Sequence, residues 1–337
     1  MNSKERESPA KGGSAGADEW TAGCFLLTTY FLLLTPLGGE VIFIAGATGF
    51  VGGHLVDDLL SKGHKVKCLV RSEKHEKILS AKGAEVVRGD ITSSETIHGL
   101  PGPEDFVVNL VGIIEEKGSA TFRRVHVEGT ANLVAEAKRA GVRHFFYQSA
   151  LGADGGSWSG YLRTKAEAEE IVKQGGLNYT IFRPSLIIGP WDGFTKKILE
   201  MLKLSPVIPI PGKGKAKFQP VYIKDWLRCI EKVVVDPGSY ISTFDIGGPE
   251  HLTYREIVEA IAESAARRKP VFNIPMGLMK ISTFFLETVL SSPPVTSDQL
   301  RLLESDNICD IRTIEKNFGF MPVKLREALK EFITPAN

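Results

Sequence analysis

The chain has 337 residues, 43% hydrophobic and 24% charged, the composition of an ordinary globular protein with length enough for a large core. Lysine and arginine total 41 against 40 acidic side chains, a formal net charge of +1 with no sustained basic stripe, which excludes nucleic acid as a partner class. Cys24, Cys68, Cys229 and Cys309 lie far apart and no CxxC, HxxxH or HExxH spacing occurs, so no metal site or disulfide framework is expected and a reducing compartment fits.

In chain order, residues 1–20 are polar and rich in small residues, a disordered composition. An apolar run from Ala22 to Leu34 follows, short of the roughly 20 residues that a membrane span needs. We read 1–40 as an extension outside the fold, translated from upstream of a start at Val41. If intact mass shows that it belongs to the native protein, the apolar run reads as a membrane anchor.

From Val41 strands and helices alternate. VIFIA reads as a buried strand, and GFVGGHLVDDLLSKG as a helix stopped at Gly63. KVKCLV is a second strand, SEKHEKILSAKG a helix, AEVVRGD a third strand and DFVVNLVG a fourth. FRRVHVEGTANLVAEAKRAG is one helix ending at Gly141, VRHFFYQSA a fifth strand, YLRTKAEAEEIVKQGG a helix and NYTIFRPS a sixth strand. This rhythm predicts an α/β fold: a Rossmann-type, doubly wound parallel sheet over 41–185, with a smaller substrate lobe over 186–337 laid on its carboxyl end.

GATGFVG sits between the first strand and its helix. Glycines three apart there serve a tight turn, close approach of backbone to phosphate, and close helix–strand packing, and the helix N-terminus favours a pyrophosphate. Gly46, Thr48, Gly49, Phe50, Val51 and Gly52 are the expected cofactor-binding turn. At the end of the second strand Arg71 stands where a carboxylate would accept the ribose 2′-OH of NAD; a guanidinium suits a 2′-phosphate instead. NADP(H) is therefore favoured over NAD(H). Asp90 is placed to reach the adenine amino group with Ile91 packing on the ring, and Asn109, Val111 and Gly112 lie beside the nicotinamide-side ribose.

Tyr161 and Lys165 are four apart and share one face of a helix. Residues 273–294, NIPMGLMKISTFFLETVLSSPP, follow the basic cluster Arg267, Arg268 and Lys269; this apolar segment reads either as a core helix closing the substrate cleft or as a helix lying on a membrane surface.

GATGFVG, RGDIT, NLVG, YLRTK, FRPS and QPVYIKD, in this order, resemble the extended and atypical short-chain dehydrogenase/reductases of the NAD-dependent epimerase/dehydratase superfamily. VNLVGI, VHVEGT, SALGA, YLRTKAEAE, FRPSLIIGP and DIGGPEHLTY make the chain similar to bacterial relatives of the nucleotide-binding accessory subunit of respiratory complex I. The resemblance spans Val41 to about Lys330.

It implies that Tyr161 is the acid/base, that Lys165 lowers its pKa and holds the nicotinamide ribose, and that Ser149 hydrogen-bonds the reacting oxygen; Ser157 and Ser159 also precede the tyrosine. Arg183, Pro184 and Ser185 match a segment lining the nicotinamide, and Gln219, Pro220, Val221 and Asp225 match a motif read as scaffold. Many extended members carry asparagine where this chain has His126, so that residue's relay role does not transfer. Two functions stay open: an NADPH-linked oxidoreductase acting on a hydrophobic or quinone-like carbonyl or hydroxyl compound, and a non-catalytic nucleotide-holding subunit or assembly factor of complex I. The expected place is cytoplasmic, with peripheral contact to the inner face of the membrane or to a respiratory complex.

Overall fold

The structure, a computed structural model, describes residues 41–289 and 296–334. The expectations for 1–40 and for the end of the apolar 273–294 segment lie outside the described residues or side chains.

Strand β1 (Val41–Ala45) is central. β2 (Lys65–Val70) and β3 (Glu85–Arg88) extend the sheet on one side; β4 (Phe106–Asn109), β5 (His144–Gln148) and β6 (Tyr179–Pro184) extend it on the other. All neighbours are parallel. The chain reverses its direction of travel across the sheet between β1 and β4, where Ala45 pairs with Asn109, and the carboxyl ends there open the crevice in which doubly wound sheets bind ligands.

β1 shows why both faces are covered. Ile42 and Ile44 enter one hydrophobic core and Phe43 and Ala45 the other, all at most 2% exposed, because successive side chains point to opposite faces. Helix α1 (Phe50–Ser61) packs on the first face through Leu55, Val56 and Leu59. After α2 (Glu73–Ala81), helices α3 (Gly129–Ala140) and α4 (Gly160–Gln174) close the second through Leu133, Ala168 and Val172. Gly63 and Gly141 end their helices at φ +81° and +72°, a left-handed conformation that glycine takes without steric cost.

Two differences from the sequence reading bear on the site. First, the segment expected to run as one α-helix from Phe122 opens with a π-helical turn, Arg123–Glu128, before α3. That wide turn sets the buried His126 inside, and Gly129, whose absent Cβ would lie 2.8 Å from Ile91, lets the following helix approach the sheet.

Second, the boundary at 185 does not follow the sheet. After α5 (Gly193–Leu204) and the short strand β7 (Ile208–Pro211), helix α6 (Ile223–Val235) returns to the first face, and β8 (Ser242–Ile246) joins as a seventh strand, parallel to β6. Burial explains the return. Trp226, fully buried, lies edge-on to Phe146 of β5 and Phe182 of β6 at ring-centroid distances of 5.9 and 6.1 Å. The rest of 186–337 supplies α5, β7 paired with β9 (Val271–Ile274), α7 (Tyr254–Ser264), α8 (Met276–Val289), α9 (Ser297–Leu302) and short helices over Thr313–Phe318 and Leu325–Phe332; α5, β7 and α7 share the core of the sheet's first face.

Candidate nucleotide and proton-transfer site

The turn after β1 is held by contact between backbones. Gly46 has φ +93°, and a Cβ there would lie 2.9 Å from the carbonyl carbon of Leu110. A Cβ on Gly52 would lie 2.2 Å from the carbonyl oxygen of Gly46, so α1 can start this close to the strand only with glycine at that position. Gly49 caps α1 without a side-chain hydrogen bond, and no acidic residue occupies the first turn. The free N–H groups and the positive end of the helix dipole therefore face outward unopposed, the electrostatics a pyrophosphate needs. Thr48 and Gly49 are exposed at the tip, and Phe50 and Val51 are half-buried. These residues fit a dinucleotide.

Arg71 is 79% exposed, and its Nη1 lies 3.7 Å from Asp90 Oδ2. Asp90 Oδ1 accepts from the N–H and hydroxyl of Thr92, both at 2.9 Å. The structure thus brings Arg71 and Asp90 to one rim. Three neighbours serve differently from the sequence expectation. Ile91, 2% exposed, turns into the core against Gly129 and offers no surface to an adenine ring. Asn109 is fully buried: its Nδ2 donates to Thr130 Oγ1 at 3.2 Å and its Oδ1 accepts from Val111 N at 3.1 Å, so it fixes the end of β4 and has no free group for a ribose. Arg183 forks onto the buried Glu169 at 2.8 and 2.6 Å, so its guanidinium is engaged within the protein. Val111 is half-buried, Gly112 exposed and Pro184 buried at the end of β6.

Tyr161 and Lys165 stand one turn apart on α4. Lys165, 3% exposed, donates to the carbonyl of Gln148 at 2.9 Å and lies 5.0 Å from the centre of the Tyr147 ring. Its Nζ closes on Gly112, whose Cβ would be only 3.1 Å away, so a side chain at Gly112 would displace the ammonium. The next residue along β5, Ser149, is 3% exposed and its hydroxyl makes no hydrogen bond among the described residues. A buried hydroxyl left unpaired is costly unless a ligand completes it.

The electrostatics depart from the phenolate expected beside an ammonium. Burial pushes the Tyr161 phenol up to about 12, and burial lowers Lys165 to about 7, only partly opposed by the Glu169 carboxylate one turn further on. Desolvation is the largest cause of both shifts. Tyr161 is therefore held as a protonated phenol.

His126 was legible in the sequence only as the residue replacing an asparagine. Thr164 donates its hydroxyl proton to the carbonyl of Gly160, so its oxygen accepts from His126 Nδ1 at 2.9 Å. The other ring nitrogen then accepts from the N–H of Ile113 at 3.1 Å. Burial, followed by the charge of Lys165, lowers His126 to about 3, which keeps the ring neutral. The imidazole packs edge-on to Tyr161 at 5.6 Å and ties the loop after β4 to the helix that carries the pair.

Sequence reasoning also missed a strap from the C-terminal part of the chain. Ser159, the N-cap of α4, donates to Asp298 of α9 at 3.0 Å. Asn307 donates to the carbonyl of Leu151 at 2.9 Å and accepts from Ser185 Oγ at 2.7 Å. The Thr296–Gln299 capping box marks the start of α9 in the sequence; nothing local marks Asn307. Gln219, fully buried, donates to the carbonyl of Gly248 at 2.7 Å and accepts from Cys309 N at 2.7 Å. Among the described residues no His, Cys, Asp and Glu cluster could hold a metal, and no helix is long and apolar enough to cross a membrane.

Residues 46–196 match a family described as NAD(P)H-binding. The chain is 29% identical over 323 residues to NADH dehydrogenase [ubiquinone] 1 alpha subcomplex subunit 9, mitochondrial, of Arabidopsis thaliana, covering 89% of this chain and 78% of that one. It is 27% identical over 321 residues to sterol demethylase protein B of Methylococcus capsulatus, covering 86% and 96%. Among solved structures, MoeE5 in complex with UDP-glucose and NAD superposes with a TM-score of 0.65 at 21% identity, covering 88% of this chain and 97% of that one, a likeness of fold.

Proposed function

We propose that this chain, an NAD(P)H-binding protein with the fold of the short-chain dehydrogenase/reductases, is an NADPH-linked oxidoreductase acting on a hydrophobic or quinone-like carbonyl or hydroxyl compound. The observation that carries the reading is the convergence at the end of β5: the unpaired buried hydroxyl of Ser149, the Lys165 ammonium on the adjoining carbonyl, and Tyr161 one turn away. The nicotinamide, when bound, supplies a hydride at its C4. Ser149 orients the substrate oxygen by donating its free hydrogen. Tyr161 protonates that oxygen as it gains charge, a task for which its protonated state suits it. Lys165 lies near its own transition at neutral pH, so a proton can pass through it to replace the one that Tyr161 gives up.

The preference for NADP(H) rests on Arg71. Its exposed guanidinium, only loosely engaged with Asp90 at 3.7 Å, is available for a 2′-phosphate.

A second reading, a nucleotide-holding accessory subunit of a respiratory complex, is favoured by relatives named as subunits of mitochondrial NADH dehydrogenase and NADH-ubiquinone oxidoreductase. The test is to identify the nucleotide bound to the purified full chain and follow its exchange with labelled NADPH. Exchange within seconds, with oxidation of NADPH by lipophilic ketones or quinones that the Tyr161→Phe variant loses, supports the enzyme. NADPH held for hours without turnover supports the subunit, and bound NAD(H) overturns the Arg71 argument.

A further inference from the structure

The β7–β9 ribbon presents apolar side chains where a water-facing ribbon would present polar ones. In β7 the buried residues are Ile208 and Ile210, so Pro209 and Pro211 point outward. The parallel register sets Phe272 beside Pro209 and Ile274 beside Pro211, on the same outward face. Phe272 is 59% exposed. Exposed apolar side chains also lie within a few residues of both ends of the ribbon. Leu204, 88% exposed, closes α5 next to Ser205, whose carbonyl accepts from Lys269. Leu278 and Ile281, each 59% exposed and three apart on α8, share one helix face. Large apolar side chains left this exposed, and grouped together, are a feature of interaction surfaces.

Its charge is one-sided. Lys203, Lys213 and Lys215 are exposed and have no acidic partner among the described residues. The neighbouring acids are neutralised already: Glu263 by Arg268 and Arg326, and Glu304 by Lys280. Gly212 and Gly214, at φ +58° and +60°, fold the loop that carries Lys213 and Lys215 over a cavity of about 580 Å³. That cavity is also lined by Asn273, Met276 and Leu303 and shares no residue with the nucleotide or Tyr161 sites.

We propose that the outward face of the β7–β9 ribbon and the first turns of α8 dock on an anionic phospholipid bilayer, with phosphate headgroups on Lys213 and Lys215 and acyl chains against Phe272, Leu278 and Ile281. Three features select this occupant. Apolar side chains flanked by unpaired lysines match the boundary between acyl chains and anionic headgroups. Lysine stems cover apolar surface while their heads stay with phosphate. The two outward prolines remove N–H donors from the ribbon, so a protein partner that extends it by adding a strand is disfavoured. The chain as a whole is near neutral at +1, so the attraction is local to this face. The inference does not depend on the proposed reaction.

The test is co-sedimentation of the full chain with vesicles of phosphatidylcholine alone and of phosphatidylcholine with 30% phosphatidylglycerol, at low and high salt. Binding is expected to the anionic vesicles and to weaken with salt. Lys213→Glu with Lys215→Glu should weaken it by about fivefold or more per site. Leu278→Glu with Ile281→Glu should abolish it, and thermal melting should be unchanged because both positions are exposed. Vesicle binding that survives both double variants would place the contact elsewhere and overturn the proposal. So would absence of binding, with self-association in the ultracentrifuge that Leu278→Glu with Ile281→Glu removes, which would assign the face to a second copy of the chain.

Discussion

The turn after β1 and the helix carrying Tyr161 both face the carboxyl edge of the sheet, but different forces build them. At the turn, geometry is set by backbone meeting backbone, with Gly52 against the Gly46 carbonyl and Gly46 against Leu110. At the helix, it is set by a few buried polar side chains, Lys165, Glu169, His126 and Ser149, and burial shifts the protonation of the lysine and the histidine. A steric requirement of this kind leaves a fixed trace in the sequence. A balance between desolvation and attraction does not.

Four measurements would break or sharpen that contrast. The largest effect is expected at Gly52→Ala. The added methyl would have to push backbone aside, so NADPH affinity should fall by more than about a hundredfold, and urea unfolding should show a loss of about 1–3 kcal/mol. Wild-type affinity in titration calorimetry would show that the turn is not sterically fixed. Next comes Tyr161→Phe, which keeps shape and burial; kcat should drop by about 10²–10⁴-fold with nucleotide affinity unchanged. Equal kcat would remove Tyr161 from the chemistry.

Arg71→Ala should be milder and selective. It should weaken NADPH by about tenfold and leave NADH as it was, as expected for one charge-assisted contact at an exposed rim. A parallel loss for both cofactors would point to a general effect on the rim.

The smallest effect is a change of slope. His126 and His144 are held at about 3 and about 4, below the ordinary 6.5, mainly by burial. As pH falls from 6.5 the unfolded chain takes up these protons first, so the folded state loses stability progressively down to those values. His126→Gln keeps a polar group in the clamp but removes one of the protons. Its unfolding free energy between pH 6.5 and 4 should therefore decline less steeply than that of the wild type. An identical slope would mean that folding does not lower the pKa of His126.

The same contrast explains what was legible. The six core strands, the glycine turn and the positions of Tyr161 and Lys165 follow from local periodicity, and the structure shows each of them. The protonated state of Tyr161 was not legible, because it follows from burial, with Phe122 and His126 packing on its ring from another part of the chain. The inward turn of Ile91 and the internal bonds of Asn109 were hidden likewise, since each depends on α3, reached only after the π-helical turn. The seventh strand escaped notice because STFDI is short and follows a stretch without clear alternation; only its pairing with β6 marks it as part of the sheet.

That seventh strand has a consequence for biosynthesis. β6 ends at Pro184, but its outer neighbour β8 begins at Ser242, and the helix that covers this face through Trp226 is made in between. A ribosome that has released only the first five or six strands therefore holds a nascent chain with an open edge and an uncovered apolar face, the conditions under which parallel sheets aggregate. The dinucleotide half cannot complete its sheet until more than fifty further residues have emerged, so premature termination after β6 is expected to yield a chaperone client and not a working half-protein.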